Sequence, residues 1–144
     1  MIKFSLISTF SLWMALFFIN TASADDMSDA RKSAVDILIK LEQGKNTEVW
    51  ESSVSNWFKE RMTRDAFLAN LTIIRAQLGG PGADRKLVQQ NRADGDPASG
   101  YKGSVFSFTF SATFPGAKVY EMIVLIREGN SYKISGLNFL PNPN

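Results

Sequence analysis

The chain has 144 residues, with 16 Lys and Arg against 14 Asp and Glu, no His and no Cys. So even a charge balance argues against nucleic acid or an acidic membrane as the main partner, because those bind through excess positive charge. The missing His and Cys exclude disulfides, histidine metal sites, imidazole bases and Ser-His or Cys-His nucleophiles, so any chemistry falls to carboxylates, Tyr, Lys, Arg or hydroxyls.

Residues 1–24 read as a signal peptide. Lys3 supplies a short positive start, Phe4 to Ile19 is almost wholly apolar, and "ASA" at Ala22 to Ala24 fits the small-residue cleavage rule. The apolar run is shorter than the ~20 residues of a spanning helix. Cleavage after Ala24 predicts an exported domain, periplasmic or secreted, with no membrane attachment afterwards. The remainder, 144 − 24 = 120 residues, is one domain's worth of chain. Without Lys3 it carries 15 basic and 14 acidic residues, a net charge of +1.

Helices come first. Ser28 is a candidate N-cap, Ala30, Ala34, Ile37, Leu38 and Leu41 repeat at helical spacing, and Gly44 ends the element. Asn46 or Thr47 opens a shorter helix through Val49, Trp50 and Val54. Trp57, Phe58 and Met62 read as an apolar connector. Thr63 caps a third helix, with Asp65 in its first turn and a stripe of Phe67, Leu71, Ile74 and Leu78. Gly79-Gly80-Pro81-Gly82 stops it.

The hydrophobic period then changes to two. Ala83 to Asn91 reads as a first, edge strand and Arg92 to Gly100 as a loop. Further strands are predicted over about Tyr101 to Phe114, Val119 to Arg127 and Ser131 to Leu140, and the last residues form a tail. Three N-terminal helices followed by a four-stranded antiparallel meander give an α+β domain, with the helices on one face of the sheet.

The second strand carries Phe106, Phe108, Phe110 and Phe114 on one side and Ser107, Thr109, Ser111 and Thr113 on the other. Burying four Phe side chains contributes roughly 6–12 kcal/mol before entropy costs, so the Phe face must meet the helices. An even loop at "PGAK" adds Val119, Glu121, Ile123, Leu125 and Arg127 to that face. A two-residue hairpin at Gly129-Asn130 adds Tyr132, Ile134, Gly136, Asn138 and Leu140. This register sets Glu121 opposite Asn138 on an otherwise apolar face, beside Gly136 and Phe110.

A buried carboxylate needs a partner or does work. One reading makes Glu121 a general base with Asn138 as its orienter. The other makes it a structural ion pair, with Arg64 or Arg75 on the third helix as partner. A ligand pocket would draw on Glu121, Asn138, Phe110, Gly136 and Arg75. No cofactor or metal is expected: "DGD" lacks the spacing of a calcium loop, and "GGPG" has no preceding strand or following Lys-Ser. Trp50 and Trp57 are read as core anchors. The opposite face, with Tyr120, Met122, Val124, Ile126, Leu137 and Phe139, is apolar enough to need cover, from the chain itself or from a second copy in a homodimer.

The run from Leu41 to Gly80 resembles the N-terminal half of the domain of unknown function 4019 (DUF4019) family. The shared features are a helix ending in Gly, a Trp in the next helix, the "WFK" segment and a helix closing on Arg and Leu-Gly. The second half is similar in outline: an "R-K-L" strand, a Gly-rich loop before Tyr101, a long Phe-rich strand, Glu121 on the next strand, and a closing strand. The "DPASGYKG" loop departs in detail from the usual Pro-Gly-rich form. The resemblance implies a bacterial protein with a cystatin-like, nuclear-transport-factor-2-like (NTF2-like) cone, in which a curved sheet wraps helices and often leaves a pocket. It implies no reaction and carries over no catalytic residues. The functional expectation is a non-catalytic envelope module binding a small ligand or a protein. The alternatives are an isomerase- or dehydratase-like enzyme using Glu121, and a structural homodimer.

Overall fold

The computed structural model describes residues 25–144, so the expected signal peptide lies outside the described residues. Helix α1 covers residues 25–42. Ser28 therefore lies within it and is not its cap. No Gly or Pro interrupts residues 25–42, which suits a continuous helix. Gly44 ends α1 with φ 74°, the left-handed conformation that glycine adopts without a Cβ clash.

Helix α2 (Asn46–Ser53) buries Val49 and Trp50. The connector predicted after it contains a short helix of its own, α3 (Asn56–Lys59), because the Ser55 hydroxyl caps it by accepting from the Phe58 N–H at 3.1 Å. Helix α4 (Arg64–Leu78) is bounded as the sequence implies. Thr63 Oγ1 accepts from the Ala66 N–H at 3.2 Å, and Gly79 closes the helix with φ 74°.

The four strands form one antiparallel meander in the order β1-β2-β3-β4: β1 (Ala83–Asp96), β2 (Tyr101–Thr113), β3 (Lys118–Glu128) and β4 (Ser131–Pro141). Strand β1 runs further than its composition suggests. Arg92, Ala93 and Asp94 pair with Phe106, Val105 and Ser104, so the β2 ladder overrides the turn-forming residues and leaves only 97–100 as loop. Three register shifts interrupt β1, which is the open edge of the sheet; bulges there discourage pairing with another chain.

Helices α1, α2 and α4 bury one sheet face, the inner one. Ala34, Leu38, Leu41, Val49, Trp50, Phe67 and Leu71 pack against Phe106, Phe108, Phe110, Ile123, Leu125 and Ile134. A second cluster joins Leu78 at the end of α4 to Ala112, Phe114 and Val119 around the β2–β3 turn. The edge strand β4 is held from outside the sheet. Val54 bridges Ile134, the Ser55 N–H donates to the Ile134 carbonyl at 2.9 Å, and the Asn56 N–H donates to Glu128 Oε1 at 2.7 Å. Helix α3 thus straddles this edge: Phe58 packs into the inner core, and Trp57 lines a cavity with Val124 and Ile126 on the outer face. At the hairpin end, Asp26 of α1 accepts from the Tyr132 hydroxyl at 2.9 Å and from Arg127 at 3.2 Å.

The β2–β3 turn is pinned to α4 by its backbone, with the Gly116 N–H donating to the Leu78 carbonyl at 2.9 Å. A Cβ at Gly116 would collide with the Gln77 carbonyl oxygen. Gly116→Ala should therefore destabilise the fold by about 1–3 kcal/mol, the usual cost of overpacking. The check is the urea midpoint, which should fall with an unchanged m-value.

Candidate functional site

The β2–β3 register places Phe110 opposite Glu121 and Phe108 opposite Ile123, so Glu121 shares the inner face with the Phe row. Its side chain is 1% exposed. A charge so deeply buried requires compensation, and it comes from β1. Arg85 Nε donates to Glu121 Oε2 at 2.6 Å and Arg85 Nη2 to Oε1 at 3.0 Å, a bidentate pair. The same Nη2 also bonds Glu42 at the end of α1. Arg75 stands nearby on α4, its Nε and Nη1 buried with no hydrogen-bond acceptor among the described residues. Burial pulls the Arg75 guanidinium below its ordinary pKa, Glu42 and Glu121 oppose that, and Arg85 adds to it. Burial also works against the Arg85 charge, but Glu121 and then Glu42 outweigh it and hold Arg85 above its ordinary value.

Arg85 turns inward because β1 shifts register between Leu87 and Gln89: Gln89 pairs with Thr109 but Leu87 with Phe110, which puts Lys86 opposite Ser111 on the outer face and Arg85 on the inner one. A further bulge lies on the other side of Arg85. Ala83 pairs with Thr113 and Lys86 with Ser111, so β1 carries one extra residue in between, and Asp84 takes φ 54°. Asp is among the few non-glycine residues that tolerate this region. The pairing partner of Glu121 is therefore Arg85; Arg64 instead meets Glu51 at 3.5 Å on the surface.

The predicted pairing of Glu121 with Asn138 does not occur. A register shift lies between Val124 and Leu125: Val124 pairs with Gly136 but Leu125 with Ile134, which leaves Ser135 as the extra residue. Beyond it every side chain of β4 changes face. Phe139 takes the place opposite Glu121, Leu137 lies opposite Ile123, and Asn138 pairs with Met122 on the outer face, where it is exposed. Gly136 moves to the outer face as well. Of the five residues grouped on the sequence, Glu121, Phe110 and Arg75 remain on the helix side and Asn138 and Gly136 do not. The same shift moves Leu137 and Phe139 from the outer to the inner face.

Little space remains between the Phe row and α4. The cavity nearest to it, of about 60 Å³, lies between α3, α4 and β4 and not against the Phe row; it is lined mainly by apolar side chains including Phe67, Leu71, Ile74, Leu137 and Phe139. A larger depression of about 540 Å³ lies between α1, α2 and the β3–β4 hairpin, but it is open. Its Asp29, Lys32, Asp36 and Lys40 alternate in sign at helical spacing, as on a solvated helix face.

The outer face holds a different kind of space. A cavity of about 180 Å³ is lined by Trp57, Tyr101, Val105, Val124, Ile126, Gly136 and the polar Asp96, Ser99 and Ser135. The Trp57 and Tyr101 rings meet edge to face with centroids 5.2 Å apart. Arg61 stacks on Trp57 at 3.5 Å from the ring centroid and donates to the Trp57 carbonyl at 2.8 Å. Trp50 is a core anchor as expected; Trp57 is the aromatic residue that serves this cavity.

A family model described as protein of unknown function (DUF4019) matches residues 33–137. The chain belongs to that family. No curated protein and no solved structure matches it. In this DUF4019 chain the Glu42, Arg75, Arg85 and Glu121 cluster and the residues lining the outer cavity all lie within the matched span.

Two residues of the charge cluster left only faint signals in the sequence. Glu42 stands four residues after Leu38 on the buried stripe of α1, a spacing that places it at the end of that stripe. Arg85 reads as an ordinary edge-strand residue until the register shift between Leu87 and Gln89 is known. Arg85→Met in this DUF4019 chain leaves Glu121 buried without its bidentate partner and should cost about 3–5 kcal/mol. The double variant Arg85→Met/Glu121→Leu should recover most of that loss, as a double-mutant cycle of urea unfolding would show; additive losses would argue against a coupled pair.

Proposed function

We propose that this DUF4019 chain is an exported, non-catalytic binding module of the bacterial cell envelope that takes a small ligand in its outer-face cavity. The carrying observation is the cavity itself: two aromatic side chains, three apolar ones and three polar ones line it together, the usual make-up of a ligand site. Its small volume fits a compact molecule or a headgroup, since pockets for drug-sized ligands are roughly 300–1,000 Å³. Export rests on Lys3, the apolar run and the cleavage-type "ASA" of the sequence. The order of helices before a meander, with the helices on one face, favours a cystatin-like, NTF2-like cone.

An enzyme using Glu121 has less support. A general base must reach the proton it abstracts, whereas both oxygens of this carboxylate are engaged by Arg85 and its side chain is almost wholly buried.

The ligand reading is tested by filling the cavity. Gly136 has backbone angles open to other residues, and a Cβ there would touch only Val124, at 3.4 Å. Gly136→Val should fold normally and lose binding of any fragment that, in a nuclear magnetic resonance screen, shifts the Trp57 indole and the Tyr101 amide of the wild type. Unaltered binding by the variant would move the site elsewhere.

A second reading, a homodimer through the outer face, draws on Met122 and Leu140, which are 37% and 41% exposed, on the same face as Tyr120, Thr109 and Ser111 or beside it in the ladder. Sedimentation should then show a dimer fraction that rises through the micromolar range and disappears in Met122→Lys; a monomer at all concentrations would discard the dimer.

A further inference from the structure

We infer that the ligand of the outer-face cavity is a compact organic cation, an alkylated or quaternary ammonium group. This rests on the binding reading above and narrows its chemistry. An ammonium ion that carries methyl groups needs three things at once: aromatic rings for cation–π attraction, apolar surface for its methyls, and a nearby negative charge. The cavity supplies Trp57 and Tyr101 as rings, Val105, Val124 and Ile126 as apolar surface, and Asp96 as the charge.

Asp96 is held in place for this role. The Ala98 N–H donates to its Oδ1 at 3.1 Å and the Ser99 hydroxyl to its Oδ2 at 2.6 Å. Ser99, aided by the backbone N–H groups of Ala98 and Ser99, holds the carboxyl below its usual range although partial desolvation acts the other way. A carboxylate offers about four lone-pair sites, more than these bonds occupy. The Tyr101 ring is also fixed, because it lies against Gly103, where a Cβ would come within 2.9 Å of the Tyr101 hydroxyl.

The lining argues against other ligand classes. It includes no Lys or Arg, so an anion would meet Asp96 without a counter-charge. A neutral polar molecule would place some of its donors and acceptors against the three apolar side chains of the lining. Arg61 is the cation that works against the inference, since it stacks on Trp57. It does not line the cavity, its charge is shared with Glu60 at 3.7 Å, and about half of its side chain is exposed, so solvent screens it.

The test compares choline with 3,3-dimethylbutan-1-ol, its uncharged isostere, on the chain from Asp25 to Asn144 at constant ionic strength. Choline should shift the Trp57 indole and the Ser99 and Tyr101 amides saturably, with the alcohol binding at least tenfold more weakly. Asp96→Asn should weaken choline at least fivefold and leave the alcohol unchanged. Equal binding of the two compounds would overturn the cation assignment while leaving a ligand cavity in place. No shift of these signals by choline would also overturn it, and the fragment screen with Gly136→Val then decides separately whether the cavity binds anything. Once choline binds, cosedimentation with phosphatidylcholine but not phosphatidylglycerol vesicles would support a lipid headgroup as the source, and its absence a free solute.

Discussion

The even register between β2 and β3 is the constraint from which the rest of this structure follows. It sets Phe110 opposite Glu121, so burying the aromatic row forces a carboxylate into the same layer. Four Phe side chains contribute roughly 6–12 kcal/mol by leaving water, and a lone buried charge costs several of those back. The chain meets the cost with Arg85, which engages both oxygens of Glu121 and reaches Glu42 as well. One guanidinium thereby ties together β1, β3 and the end of α1. The edge strand, which has the fewest apolar contacts to offer, is anchored to the core through charge.

Two bulges then determine which face each candidate residue serves. The one between Leu87 and Gln89 turns Arg85 inward. The one at Ser135 sends Gly136 and Asn138 outward and brings Leu137 and Phe139 in. Without the second shift, Asn138 and not Phe139 would stand opposite Glu121, and the inner layer would hold another polar group in need of a partner. With it, the inner layer gains two apolar side chains, and the outer face gains a residue without a side chain beside Trp57. The same local change fills the core and opens the cavity.

Much of this was legible in the sequence. Helix α4 is readable from Thr63, its apolar stripe and Gly79, each of which acts within a few residues of its own position. The Phe row and its sharing of a face with Glu121 follow from alternation and an even turn. The outcome at Asn138 did not follow, because a bulge is a single extra residue with no compulsory sequence mark, and Ser135 is as compatible with a regular strand as with a bulged one. Arg85 was hidden for the same reason. The sequence marks only the first part of strand β1 because Asp94, Gly95 and Asp96 are turn formers by local preference, and pairing with β2 overrides that preference. The connector holding Trp57 hid a helix of only four residues, too short for periodicity to reveal, and its capping Ser55 was the available clue.

The location of the cavity fits the energetics of the inner layer. That layer combines close apolar packing with an ion pair that tolerates little change in its surroundings, so a ligand opening there would remove contacts from both. Besides Val105, Val124, Ile126, Ser135 and Gly136 of the sheet itself, the outer cavity draws on the last residue of β1, the loop that follows it, the start of β2 and the short α3. These segments lie at the margin of the sheet, yet each is held by bonds of its own: Ser55 caps α3, the Gly100 N–H donates to the Asp96 carbonyl at 2.8 Å, and Gly103 seats the Tyr101 ring. Side chains there can vary without disturbing Glu121 and Arg85 on the other face. If the cavity binds a ligand as proposed, its preference is free to change with the loop, while the charge cluster under the helices keeps the scaffold in one register.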